Sequence, residues 1–409
     1  MTKPTAHIPS GVADYFWGEA YRRRQLESTL LATFRGWGYG DVIPPTFEYD
    51  ATLGIEANAD LQAEMYRFLD RDGGTLALRP EMTTAVARLV GTRLHDWPMP
   101  QRFCYAGSVF RYTEPQAGRQ REFWQAGVEL IGANSPQADA EVLALTIAAL
   151  DAAGLDDFRI VLGHMGYLRG LLDDLKLPAA QADALRQAID RKSEPELADF
   201  LRDVPLTAPQ RRTVEELPLL NGPDGETVIA QAAALCLNPA MSAALDNLRT
   251  IYAALAAQGI AHRVDLDLAE IRNLGYYTGI TFEALVPHLG FSVASGGRYD
   301  ALVGHFGPNQ LAVGVALGID RLLLALEAHS SENPSPVRPV PPDILVSVSD
   351  DPDCLATLAI WRAEGKRVMV DVRGRTGVEL AAYGAKIGAI EVLTWSAGGF
   401  EGGNGNDNK

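Results

Sequence analysis

Positive charge is scarce in this sequence: 36 Lys and Arg stand against 52 Asp and Glu, a formal net charge of −16. Proteins that hold a nucleic-acid backbone draw on counterions released by clustered Lys and Arg. Here the lysines are few and the arginines are scattered among carboxylates, so nucleic acid is not expected as the main partner. Cysteine is scarce too. Cys104, Cys236 and Cys354 stand alone without metal-ligand spacing, which predicts reduced, buried thiols and no metal site. No run of about 18 apolar residues occurs, so no membrane span is expected. The N-terminus MTKPTAHIPSGVADYF lacks the basic-then-apolar pattern of a signal peptide, and a cytoplasmic location is expected. What is plentiful is ordinary globular material: 47% hydrophobic and 22% charged residues over 409 positions, enough for two or three domains and a large core.

Along the chain, Tyr15 to Gly36 reads as an amphipathic helix with Leu26, Leu30, Leu31 and Phe34 on one face. GWGYGDVIPPTFEY then turns at its glycines into a strand stopped by Pro44 and Pro45. Short strands (FLDRDGGTLALRP) precede a helix (EMTTAVARLVGTRL), followed by a long strand pair, FCYAGSVFRY and EFWQAGVELIGA, around the loop TEPQAGRQR. From about 165 to 258 the composition shifts to Ala, Leu, Asp and Arg, which predicts a helical insertion. Strands resume at HRVDLDL, YYTGITFEALV and FSVASGGRYD, and the helix GVALGIDRLLLALEA closes the segment. Strands and helices are segregated more than alternated, so the expected fold class is α+β around an antiparallel sheet, with residues 1–330 as its core. A Pro- and Ser-rich linker (331–342), a small α/β unit (343–396) and a Gly- and Asn-rich tail expected to be disordered (397–409) complete the chain.

Four clusters of polar side chains suit a zwitterion lying beside an anionic phosphate chain: Arg79, Glu81 and Thr83; Arg111, Arg119, Arg121, Gln125 and Glu129; Arg272, Tyr276 and Tyr277; and Arg298 and Arg321. A glutamate such as Glu81 or Glu129 accepts an ammonium or imidazole proton. Arginines offer planar forks to carboxylate and phosphate, tyrosines give flat walls with a hydroxyl at the rim, and Gly296 and Gly297 let backbone approach a ligand. Taken singly, each cluster reads better as an ion pair or a turn than as a site. Their order along the chain is what carries information.

That order resembles the class II aminoacyl-tRNA synthetases, and within them the histidyl branch. GWGYGDVIPPTFEY is similar to motif 1, CYAGSVFRYTEPQAGRQREFWQAGVELIG to motif 2 and GVALGIDRLLLAL to motif 3, while RNLGYYTG and SGGRYDAL resemble the two histidyl-specific motifs; the likeness spans about residues 8–330 apart from the insertion. The resemblance implies a class II synthetase-like sheet flanked by helices and a homodimeric core built through motif 1. It implies a histidine-pocket-like set of Glu81, Thr83, Gln125, Glu129, Arg272, Tyr276 and Tyr277, and ATP-site remnants at Arg111 and Arg321.

The departures from the synthetase pattern are specific. Where motif 2 carries FRxE, this chain has FRYT with Thr113, and Glu114 stands in place of the next arginine, reversing charge where ATP would lie. Met82 replaces a glycine and is expected to add bulk beside the pocket; Gly275, Asn273 and Ser295 depart as well. The C-terminal unit is about half the length of a synthetase's anticodon-binding domain, and its segments DILVSVSDDPD and EVLTW offer no platform of basic and aromatic residues for RNA. This combination resembles the regulatory subunits of the short-form ATP phosphoribosyltransferase. It implies a chain with no catalytic residues or cofactor of its own, partnered by a separate catalytic subunit, with histidine as a candidate ligand and no tRNA. A functioning histidyl-tRNA synthetase and a stand-alone histidine-binding module are the alternatives.

Overall fold

The computed structural model describes residues 7–114, 119–270, 277–329, 340–396 and 399–402. They divide into two units, one containing residues 1–13 and 23–331, the other 14–22 and 332–409. The first unit holds the strands β1 (Gly40–Asp41), β2 (Phe47–Tyr49), β3 (Arg67–Leu69), β4 (Thr75–Leu78), β5 (Gln101–Phe110), β6 (Glu122–Ile131), β7 (Arg159–His164), β8 (Asn221–Gly222), β9 (Val264–Asp267), β10 (Ile280–Leu285), β11 (Ser292–Arg298) and β12 (Ala312–Gly318). Nine of these form one sheet in the order β1-β5-β6-β12-β11-β10-β7-β9-β8. Its six-strand middle is antiparallel throughout, while β1 lies parallel to β5 and β9 parallel to β7. This is the expected α+β class.

Side chains alternate across a strand, so each face of this sheet can be read from the register. On one face, Cys104, Ala126, Val128, Leu130, Val313, Val315 and Leu317 join a core with the helix Pro136–Ala152 and with Leu26, Leu30 and Phe34 of the helix Trp17–Gly36. The other face carries Glu129, Gly127 and Gln125 of β6. Opposite them lie Gly314, Ala316 and Gly318 of β12 on one side and Phe103, Tyr105 and Gly107 of β5 on the other. Ser295 and Gly297 of β11 continue the row beyond β12. Small residues around two polar ones leave a hollow.

Residues 165–257 contain six helices, Met165–Leu175, Ala179–Asp190, Glu194–Asp203, Ala208–Glu216, Gly225–Ala233 and Pro239–Ala257. Five begin at a residue whose side chain accepts a first-turn N–H: His164, Ser193, Thr207, Asp224 and Asn238. Elsewhere, the stretch expected as one helix from Glu81 is α-helical over Thr83–Leu89 and then widens into a π turn over Val90–Leu94. Gly91 lies there against Phe306 and Gly307 so closely that a Cβ would clash with both.

In the second unit, three parallel strands, β14 (Val368–Asp371), β13 (Ile344–Ser347) and β15 (Glu391–Ser396), lie in that order beside an antiparallel β16 (Gly399–Gly402). The helices Pro352–Ala363 and Gly377–Ile387 make the crossovers. β16 corrects the expectation of disorder from residue 397. The composition is tail-like, but Phe400 lies 4.7 Å from both Trp361 and Trp395, and that aromatic contact holds the strand. The linker lies outside the described residues apart from 340–342. All three cysteines are free, with Cys104 and Cys354 buried.

Candidate functional site

Glu129 is the centre of the hollow. It is 1% exposed and accepts three hydroxyl hydrogen bonds: Thr83 at 2.8 Å and Tyr105 at 3.1 Å on Oε1, and a short one from Tyr299 on Oε2. Burial, reinforced by the neighbouring charge of Glu81, outweighs these donors and pushes the Glu129 carboxyl up to about 8. Gly314 makes the arrangement possible, since any Cβ there would overlap the Glu129 carboxylate. Glu81 accepts the Thr84 N–H through both oxygens, at 3.0 and 3.2 Å, which seats it at the start of the helix Thr83–Leu89.

Two adjoining cavities open over this face. The smaller, about 50 Å³, is lined by Glu81, Thr83, Glu129, Tyr277, Tyr299 and the backbone of β11 and β12. The larger, about 210 Å³, is lined by Arg111, Thr113, Arg119, Phe123, Asp320 and Arg321 among others. Arg111, Gln125, Ser295 and Ala316 belong to both, so the two are neighbours along one groove. The sequence expectation of a pocket beside an anion site thus brings Glu81, Thr83, Gln125, Glu129, Tyr277, Arg111 and Arg321 together. Arg272 and Tyr276 lie outside the described residues.

The larger cavity carries surplus positive charge. Arg111 donates to the Pro80 carbonyl at 2.8 Å and lies over the Phe123 ring; Arg321 donates to the Ser292 carbonyl at 2.8 Å and lies over Phe291. Burial, then the charge of Arg111, pushes the Arg321 guanidinium below its ordinary value. Of the acids here, Asp320 accepts the Trp124 N–H and pairs with Arg23. Among the described residues, Thr113 Oγ1 and Gln125 Oε1 are buried with no hydrogen-bond partner. Such atoms cost about 1–3 kcal/mol each while unsatisfied; in the cavity the Thr113 hydroxyl can donate to an anion, whereas the Gln125 oxygen calls for a donor such as an ammonium group.

Other residues read as candidates prove structural. Arg79 donates to the carbonyls of Ser108, Pro44 and Pro45, tying β5 to the proline turn. Arg298 forms a buried ion pair with Asp139 and reaches Asp300. Arg121 donates to the Thr113 carbonyl and lies over Tyr112. Gly297 gives way to the Tyr277 ring and Gly296 to Phe282, so their missing side chains serve packing. Met82 lines neither cavity and packs within the core against Gly107. Conversely, Tyr105 and Tyr299 were not singled out. The first lies on the Glu129 face two residues beyond its β5 partner Phe103, a position that strand alternation reveals once the register is known.

Among the described residues no cluster of His, Cys, Asp and Glu could hold a metal ion, and no helix is long and apolar enough to cross a membrane.

This fold and groove define the histidyl branch of the class II synthetase fold. The histidyl-tRNA synthetase family model matches residues 11–322. The chain is 41% identical to the ATP phosphoribosyltransferase regulatory subunit of Moorella thermoacetica over 93% of its length and 96% of that protein. It is 41% identical to the same-named protein of Symbiobacterium thermophilum, over 94% and 96%. A Bacillus halodurans structure described as an ATP phosphoribosyltransferase regulatory subunit/histidyl-tRNA synthetase superposes with a TM-score of 0.85 at 31% identity, over 97% of this chain and all of that one. Histidyl-tRNA synthetase from Nostoc, at 22% identity, 96% and 91% coverage and a TM-score of 0.79, shares the fold. The chain belongs to the family of ATP phosphoribosyltransferase regulatory subunits, a histidyl-tRNA synthetase-like group.

Proposed function

We propose that this chain is the non-catalytic regulatory subunit of an ATP phosphoribosyltransferase, acting at the first step of histidine biosynthesis. In this reading it partners a separate catalytic subunit, and the small cavity around Glu81, Thr83, Gln125, Glu129 and Tyr277 receives histidine for feedback control. The observation that carries the non-catalytic part is motif 2. Thr113 stands where a synthetase places the acid that engages ATP, and its hydroxyl is buried without a partner at the edge of the anion cavity. Glu114 beside it is exposed and lines neither cavity, so it offers a phosphate there no cation in place of the arginine. Arg111 and Arg321 then mark an ATP site that has lost its complement. The net charge of −16 supports a protein partner over tRNA.

The exposed sheet face in motif 1 supports a homodimer core. Phe47, Tyr49 and Phe68 lie on the outer face of the sheet formed by β2, β4 and β3, and are 52%, 61% and 40% exposed.

Mixing the chain with the short catalytic subunit should produce phosphoribosyl transfer that histidine inhibits. Aminoacylation is the competing activity, so histidine-dependent ATP–pyrophosphate exchange is measured beside it; robust exchange by the purified chain would sink the regulatory reading.

A further inference from the structure

The Glu129 carboxyl is a buried acid whose surroundings supply hydroxyls where a counter-charge is usual. From the helix Thr83–Leu89 it meets the Thr83 hydroxyl, from β5 the Tyr105 hydroxyl, and from the end of β11 the Tyr299 hydroxyl. Glu81, ahead of the helix, adds a like charge. β12 contributes only Gly314 at the facing position. Tyr277 and Arg111 line the same cavity, but Arg111 is turned to the Pro80 carbonyl, and Tyr39 feels the Glu129 charge from farther off. Among the described residues no Lys, Arg or His pairs with Glu129. A carboxyl buried this deeply beside a like charge is neutralised by taking a proton.

If histidine occupies this pocket, as proposed above, its side chain must meet that acid, because Glu129 is the deepest polar group lining the small cavity. We propose that Glu129 stores one proton in the ligand-free chain and shares that proton with the imidazole of the bound ligand. The ring enters neutral, the carboxyl supplies the proton, and the complex holds a single proton between oxygen and nitrogen with none exchanged with solvent.

The consequence is a pH optimum of unusual shape. Above the midpoint of Glu129, near 8, the store is empty and each binding event takes a proton from water, so affinity falls up to tenfold per pH unit. Below the ligand's own imidazole midpoint, near about 6.5, the ligand arrives protonated, one proton too many is present, and affinity falls again. A permanently ionised carboxylate would instead select imidazolium and lose affinity from about 6.5 upward.

The test is calorimetry of histidine binding to the full chain between about pH 5.5 and 9, in two buffers of different ionisation enthalpy, with wild type and Glu129→Gln. A ligand-free arm follows thermal unfolding of both proteins over the same range. Wild type should bind best between about 6.5 and 8, and near pH 9 should take up close to one proton more per ligand than the variant. Titration of the ligand's α-amino group is common to both proteins and cancels. In the ligand-free arm the sign is fixed. The folded midpoint of Glu129 lies above its unfolded value, so its stabilising contribution is present at low pH and lost as pH rises through 8. Wild type should therefore lose ground to Glu129→Gln from pH 6 to 9.

Binding without extra proton uptake overturns proton sharing and leaves the histidine reading standing. No binding at any pH removes the histidine reading and this proposal with it. A stability difference that does not change with pH overturns the stored proton whatever the ligand does. If Glu129→Gln binds too weakly to measure, the wild-type proton count and the ligand-free arm still decide.

Discussion

At the scale of single residues, the groove depends on side chains that are missing as much as on those present. A Cβ at Gly314 would run into the Glu129 carboxylate and stand 2.7 Å from the Val128 carbonyl oxygen, with a paired strand on each side to prevent relief. Gly314→Ala should cost about 1–3 kcal/mol, the range for overpacking, and abolish any histidine effect; an unchanged denaturant midpoint would contradict this. Arg298 makes the opposite case. With Asp139 1% exposed, Arg298→Ala strands a buried carboxylate and should cost about 3–5 kcal/mol near neutrality. Loss of the cation raises the Asp139 midpoint further, so the deficit should shrink as pH falls and the carboxyl protonates, which urea midpoints from pH 7 down to 4 would register. Sequence alone could not separate these arginines. Arg298, Arg79 and Arg321 all sit in motif-like contexts, and what distinguishes them is that Arg298 is held by carboxylates and Arg79 by carbonyls, whereas Arg321, which also donates to the Ser292 carbonyl, lines a cavity.

Among elements, what was legible was what local chemistry dictates. The Ala-, Leu-, Asp- and Arg-rich composition of 165–258 indicates helices, and the structure starts three of them at the caps Ser193, Thr207 and Asn238. The sheet's register was not legible, because nothing in FCYAGSVFRY or EFWQAGVELIG states that Phe103 pairs with Glu129 or that Gly314 lies on its other side. That pairing is what turns scattered glycines into a hollow and enrols Tyr105. β16 is not legible for a related reason, since Phe400 is held by its cross-strand partner Trp395 together with Trp361 from the helix Pro352–Ala363. Asn238 caps the helix Pro239–Ala257 and also donates to the Gly170 carbonyl at 2.8 Å, tying the first insertion helix to the last. Asn238→Ala removes both bonds and should cost about 1–2 kcal/mol, toward the upper end for a cap. Asn238→Ser keeps the cap alone and should recover roughly half; equal losses in thermal unfolding would mean that the cap contributes nothing.

For the molecule as a whole, the outer face of β2, β4 and β3 is where assembly can be tested. On the opposite face Glu48 pairs with Arg88, and both Glu48 and Arg67 flank buried Ala77 in the register, while Leu69 at the end of β3 is exposed. Their outward neighbours Phe47, Tyr49 and Phe68 are aromatic, the first and last in edge-to-face contact at 5.7 Å, and Ile43 just before them is 92% exposed. Clustered exposed aromatics mark an interface, and a two-fold partner covering its own copy of the patch is the commonest arrangement. Phe68→Asp places a charge in the middle of such an interface, where pairing across the two-fold would bring like charges together without solvent. In the free chain the same change gives up the edge-to-face contact with Phe47 and should cost about 0.5–1.5 kcal/mol. Light scattering should therefore find wild type as a dimer and Phe68→Asp as a folded monomer whose unfolding midpoint is lower and no longer depends on protein concentration. A wild-type monomer, or a variant that stays dimeric at micromolar concentration, would place the interface elsewhere and leave the aromatic face for the catalytic subunit.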